Sequence, residues 1–279
     1  KDPSVGFSMF NDQPRYSTGY AALFNTLAYM PETHMLKPYK QRVDATYDFM
    51  ITMIENASEK SKTLIALRKK AILATRQQKQ FYLSWRPDTS YYSMITFKGY
   101  TATTKSSELS GLPVLYYDHN KPFQKEVKHF DRFLGFDTIS KPRAYIIPAG
   151  WWAVTDLLKL NRVKMKKLER DTSVEVTVYQ IQNVRSMPNA YEKHHKNTGV
   201  TYTVNHEKLN FQKNDWLIFT GQPADRFLVE TLEPLGQDGY FSWNFFDAIL
   251  QEKEGYSDYR WNDIAVEFLN SHPEIKDEF

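Results

Sequence analysis

At Phe81 the spacing of apolar residues changes, and that change divides the chain. Before it, Val43, Tyr47, Met50, Ile54 and Ala57 recur at steps of four and three, the period that places side chains on one face of a helix. Asn56-Ala57-Ser58 is a candidate break, after which Leu64, Leu67, Ala71 and Ala74 resume the stripe. Residues 39–80 therefore read as one long helix or two stacked ones. After Phe81 the pattern is that of strands rich in aromatic and β-branched residues. Residues 81–85 and 91–97 read as strands split by an Arg86-Pro87-Asp88 turn, and 114–117, 143–148, 173–181, 199–204 and 215–219 follow. The stretches 101–110, 118–122 and 184–199 are predicted as a surface loop or edge strand, a polar turn and a solvated loop. Gly150 to Leu160 reads as a helix after a Pro/Gly turn. Lys164, Lys166 and Lys167 mark a charged edge.

Residues 220–269 return to helical spacing. Helices are predicted over 223–232, ended by Pro234, over 243–251 with Ser242 as N-cap, and over 259–269 with Asp258 as cap. The fold class is mixed α and β in two parts. Residues 1–80 form an α/β part with the long helix, and 81–279 form a β-rich α+β part with a sandwich or barrel-like layer and a helical tail.

A net charge of +3 is too small to argue for nucleic acid, and the basic run between Lys60 and Lys79 reads as a solvated helix face before it reads as a binding face. With no Cys there is no disulfide, thiolate nucleophile or Cys-bound zinc. No apolar run reaches membrane-spanning length. The 18 Tyr, 18 Phe and 6 Trp suit β-rich packing and could also contact sugar or peptide.

One stretch carries the strongest chemical suggestion. Pro14-Arg15-Tyr16-Ser17-Thr18-Gly19 is rich in turn formers, Tyr20 to Tyr29 is apolar apart from Asn25 and Thr26, and Glu32 follows Pro31. A lone carboxylate after an apolar segment suits a general base held against apolar walls. It equally suits an ordinary helix-start acid.

Tyr16 in a loop, a short Ser/Gly-led helix, an apolar strand and Glu32 at the strand end resemble the last catalytic segment of zinc carboxypeptidases of the carboxypeptidase A type. The run from Gln222 to Pro234, followed by Trp243-Asn244-Phe245-Phe246-Asp247, resembles the C-terminal region appended to a bacterial branch of that family. The resemblance covers about 10–60 and 140–265. It implies that 1–80 is the end of the catalytic α/β domain and that 81–279 is the appended region. It implies Glu32 as general base and Tyr16 as lid, with Tyr20 the second choice, in a parent protein that removes C-terminal residues from peptides with zinc, outside the cytoplasm.

The zinc-binding pattern of that family is not in this sequence. None of the seven His residues has Glu three places on, and His206-Glu207 is adjacent with no further His in reach. Asn161-Arg162 has the letters of the family's carboxylate-holding pair but lies after Glu32, not before it. The paired His194-His195 and the adjacent Asp118-His119 lack a third ligand. The expectation is a fragment beginning at Lys1 that binds no catalytic zinc, is inactive alone, and packs or self-associates through the uncovered face of 1–80. The alternative is a non-catalytic module that binds peptide or glycan, or is structural.

Overall fold

A two-residue strand, β1 (Phe7–Ser8), and a short helix, α1 (Ser17–Leu23), precede the helical period, which forms α2 (Tyr39–Glu59) and α3 (Ser61–Gln77). The structure, a computed structural model, describes residues 3–251 and 257–278. Pro38 stands just before α2, where its missing N–H costs nothing. The break between the helices falls at Lys60, slightly beyond the expected place. There the Lys60 N–H still reaches the Asn56 carbonyl and the Leu64 N–H reaches the Lys60 carbonyl, both at 3.0 Å. The i→i−4 ladder is nonetheless interrupted there, because the next cap N–H turns to the Ser58 carbonyl and Lys60 leaves the helical region at φ −96°, ψ 14°, so α2 and α3 are two separate helices. No residue of α2 is buried, and in α3 only Thr75 is. The C-terminal end of α3 is fixed by Thr75 Oγ1 donating to Asn25 Oδ1 (3.1 Å), by Arg76 Nε donating to the Gly221 carbonyl (2.7 Å) and by Lys141 Nζ donating to the Arg76 carbonyl (2.7 Å).

The strands are β2 (Gln80–Pro87), β3 (Ser93–Ser106), β4 (Pro113–Phe130), β5 (Phe133–Ser140), β6 (Ala144–Ile147), β7 (Lys166–Lys167), β8 (Thr172–Ser186), β9 (Asn197–Phe211) and β10 (Trp216–Phe219). They form four small sheets among the described residues: β1-β4-β3, β6-β10-β7, β2-β5 and β8-β9. This corrects the expected sandwich or barrel-like layer. Of the stretch 101–110, read as a surface loop or an edge strand, residues 101–106 are strand and continue β3 at the edge of its sheet. The predicted polar turn at 118–122 is corrected, because that run lies inside β4. Tyr100 pairs with Pro122 and Thr101 with Asp118, so a bulge absorbs residues 119–121. The bulge is what lets Pro122 and a turn-like composition sit in a strand. Lys166 and Lys167 do form a charged edge strand, on β10.

Helix α4 (Trp152–Leu160) follows β6, as the strand–turn–helix pattern predicts. The core gathers on α5 (Asp225–Leu232). Phe81 and Leu83 of β2 pack with Val229, flanked by Ile139 and Leu235. Asp225, fully buried, opens α5 by accepting the Gly221 and Gln222 N–H groups at 2.9 Å and pairing with Lys141 Nζ at 2.8 Å. The carboxylate thus closes the turn that leads into the helix, and its negative charge sits at the favourable N-terminal end.

These elements belong to the first of two compact units, Lys1–Asn244 and Phe245–Phe279. The helix predicted over 243–251 reduces to a short 3-10 turn, Asp247–Leu250. Ser242 does not cap it, because its hydroxyl donates to the Gln237 and Asn197 carbonyls instead. In the second unit α6 (Asp258–Ser271) starts one residue before the expected place, with Ser257 and not Asp258 in the N-cap position, and leaves Trp261, Ile264 and Phe268 exposed. No helix among the described residues is long and apolar enough to cross a membrane.

Candidate functional site

Residues 13–15 are clamped to residues 237–238. Asp238 stands between Gly236 and Gly239, and Gly236 is required there: a Cβ would come within 2.2 Å of the Glu230 carbonyl oxygen. Asp238 Oδ2 accepts the Arg15 backbone N–H at 3.1 Å and faces Arg15 Nε at 3.4 Å. Its Oδ1 accepts from Lys196 Nζ at 2.7 Å, and Lys196 also donates to the Gln237 carbonyl at 3.0 Å. Burial holds the Lys196 amine below its ordinary pKa, and the Asp238 carboxylate opposes that shift. Lys196 Nζ also lies 4.5 Å from the Trp243 ring centroid. Gln13 Nε2 donates to Gln237 Oε1 at 2.8 Å.

Tyr16 is half-buried at the edge of this clamp. The Arg15 guanidinium lies 5.4 Å from the ring centroids of both Tyr16 and Tyr191. The Tyr191 phenol is raised above its usual pKa, first by the charge of Tyr16 and then by the hydrogen bond between the two hydroxyls. Beside the clamp lies a cleft of about 280 Å³ walled by Pro14, Leu23, Leu83 and Trp85, with the Arg226–Glu230 ion pair (2.6 Å) and Asp238 supplying its polar groups. Burial pushes the Glu230 carboxyl up, and Arg226 pulls it back.

A second buried carboxyl lies at the end of α5. Pro234 disfavours helix at the residue before it, and Glu233 is extended at φ −75°, ψ 137°. Its side chain is buried, with Tyr145 donating to Oε1 at 2.7 Å and Oε2 without a hydrogen-bond partner among the described residues. Burial raises the Glu233 pKa, while Tyr145 and Tyr179 lower it by hydrogen bonding. The group thus binds its proton more tightly folded than unfolded. Its effect on stability is therefore most favourable below the unfolded value of about 4.3, falls as pH rises through the folded value, and levels off above it. Glu233→Gln is expected to flatten that slope and to leave the Tm at pH 7 equal or higher. A clearly lower Tm at pH 7 with the slope intact would show that the carboxylate stabilises the fold.

The other residues singled out in the sequence are scattered. Tyr20 ties α1 to the end of α4, its hydroxyl donating to Asn161 Oδ1 at 2.5 Å. Glu32 is exposed, in a stretch without regular secondary structure, and makes no ion pair or hydrogen bond among the described residues. The apolar strand expected before it does not form. Residues 17–23 are α1, the left-handed Asn25 (φ 53°) follows, and among the described residues no strand pairs with residues 26–32. Without a partner strand an extended segment has no ladder for its backbone groups. His195 Nδ1 bonds the Met187 carbonyl at 2.8 Å, while His194 meets the Trp243 ring edge-on at 5.3 Å. His119 stacks on Tyr100 at 4.6 Å and Asp118 pairs with Lys121 at 3.5 Å.

Zinc needs three protein ligands in a catalytic site. Among the described residues no three His, Cys, Asp or Glu side chains converge to hold a metal ion, so these residues do not make that site. Sequence reading missed Asp238, Lys196 and Glu233. The one signal for Asp238 was its place in Gly236-Gln237-Asp238-Gly239, a run whose tight turn buries what it carries.

No protein-family model, no curated protein and no solved structure matches this chain.

Proposed function

We propose that this chain is a C-terminal portion of a zinc metallocarboxypeptidase-like protein, non-catalytic by itself, to which it contributes Glu32 as general base and Tyr16 as the side chain that closes over a peptide. The observation that carries this reading is the clamp. The two stretches that resemble the family, around Pro14–Gly19 and from Gln222 onward, lie against each other. They are joined by Arg15–Asp238, by Gln13–Gln237 and by Phe24 stacked on Phe227 at 5.2 Å. A region appended to a catalytic domain would hold its lid loop in this way. On this reading residues 1–80 are the remnant of the catalytic α/β domain, and the zinc ligands belong to another part of the parent protein.

Reading the coding DNA upstream of Lys1 tests the proposal. An in-frame His-x-x-Glu, an Asn-Arg pair and a later His are expected. A start codon immediately upstream, with none of these, overturns it. On the protein itself, zinc-supplemented chain is expected to leave peptides with a free C-terminus intact. Turnover that Glu32→Gln abolishes would refute the non-catalytic part.

A further inference from the structure

A second cleft, of about 360 Å³, lies between the end of α3, the segment leading into β7 and the turn after β10. Its apolar lining is Met165, Leu217, Phe219 and Pro223, and its charged groups are Arg76, Lys164 and Lys166, with no Asp or Glu. None of these three cations is in an ion pair among the described residues. Phe219 is 41% exposed, and Lys166 Nζ lies 5.7 Å from its ring centroid. The surroundings hold the cleft in shape. Gln222 is buried, accepts the Lys164 N–H at Oε1 (2.9 Å) and donates from Nε2 to the Phe219 carbonyl (2.8 Å) and the Lys164 carbonyl (3.3 Å). Lys166 is paired with Leu217 across β7 and β10. Arg76 uses Nε on the Gly221 carbonyl, which leaves the N–H groups of both terminal guanidinium nitrogens. Gly221 takes φ +85°, and a Cβ there would meet nothing within 4 Å, so no protein atom crowds that side of the turn.

We propose that this cleft binds a small organic phosphate, with the phosphate against Arg76, Lys164 and Lys166 and the apolar body on Phe219. Three cations around one cleft without a carboxylate repel one another, and a dianion between them replaces that repulsion by attraction. A guanidinium with both terminal nitrogens free matches two phosphate oxygens, and the two ammonium groups add point charges. A volume of about 360 Å³ is at the low end for small-molecule sites and suits a single ring with its phosphate. A charged sheet edge that serves only to prevent strand pairing accounts for Lys166 and Lys167. It does not account for Arg76 and Lys164, nor for a buried Gln222 that fixes the Lys164 backbone.

This inference does not rest on the carboxypeptidase reading. Neither Glu32 nor Tyr16 lines the cleft, and its test involves no peptide and no zinc.

Isothermal titration calorimetry of the chain with phenyl phosphate is expected to show a single site with a dissociation constant below about 1 mM. Inorganic phosphate, which lacks the ring, and benzoate, which carries less charge, should each bind at least about tenfold more weakly. Lys164→Gln with Lys166→Gln should weaken phenyl phosphate at least about tenfold. The Tm should not move, because these two residues take part in the hydrogen bonds of the cleft through their backbones alone. Lys98→Gln with Lys105→Gln removes the same charge from β3 and should leave the affinity unchanged. Phe219→Ala should weaken phenyl phosphate and leave inorganic phosphate where it was. No binding of phenyl phosphate at about 10 mM, equal affinity for inorganic phosphate or benzoate, or equal losses from the two lysine pairs would each overturn the proposal.

Discussion

Asp238→Ala is expected to cost about 3–5 kcal/mol of folding stability, because it removes one partner of a buried ion pair. Lys196 is 5% exposed, and Asp238 is the carboxylate that its amine meets. With that carboxylate gone, the amine must lose its proton or draw water into a packed region. The Arg15 backbone N–H and guanidinium lose their acceptor in the same step. In a chain of this size the Tm should fall by roughly 6–20 °C, read by differential scanning calorimetry. Removing both charges, by Asp238→Leu with Lys196→Met, should recover most of the loss. The change should also reach the site. Once Arg15 is released, Tyr16 no longer has a fixed place beside Tyr191, so the Tyr191 phenol should titrate closer to an ordinary tyrosine. A loss under about 1 kcal/mol, less than any buried pair of this kind should cost, would mean that the clamp holds nothing in place.

Phe81→Ala is the second large effect, again about 3–5 kcal/mol, from lost burial and the cavity that remains. Phe81 is wholly buried where β2 meets α5, and its neighbours Leu83, Ile139, Val229 and Leu235 come from two strands, a helix and a turn that cannot all move inward together. The Arg226 guanidinium also lies 5.2 Å from its ring centroid and would lose that contact, which pairs with Glu230 along the cleft. Phe81→Leu, which keeps most of the volume, should cost under about 1.5 kcal/mol. Equal losses for the two variants would show that the site collapses freely and that this cluster is not the core.

Residues whose neighbours lie nearby in sequence were the legible ones. The stripe from Val43 to Ala74 could be read because a helix makes its own hydrogen bonds, and the alternation of Val174, Val176 and Val178 predicted β8 because successive side chains of a strand point to opposite faces. Strand pairing was not legible. Residues 81–85 and 91–97 look like neighbours across a turn, yet β2 pairs with β5 and β3 with β4. Which edge a strand meets depends on residues far along the chain. The same holds for the site. Tyr16 could be named, but what fixes it is Asp238, and nothing near Tyr16 in sequence announces that carboxylate. Glu32 could be named as well, yet its place depends on a strand that finds no partner among the described residues.

The clamp also sets an order of events during synthesis. Arg15 and Asp238 are 223 positions apart, and Gln13 and Gln237 are 224 apart. At about 5–20 residues per second the ribosome needs roughly 10–45 s to supply the second half of each pair after the first. Through that interval the loop before α1 lacks the partners that clamp it, while α2 and α3 form at once from hydrogen bonds within each helix. Nascent chains stalled before residue 222 should therefore leave Arg15 open to trypsin, and those stalled with residues 222–244 outside the tunnel should protect it.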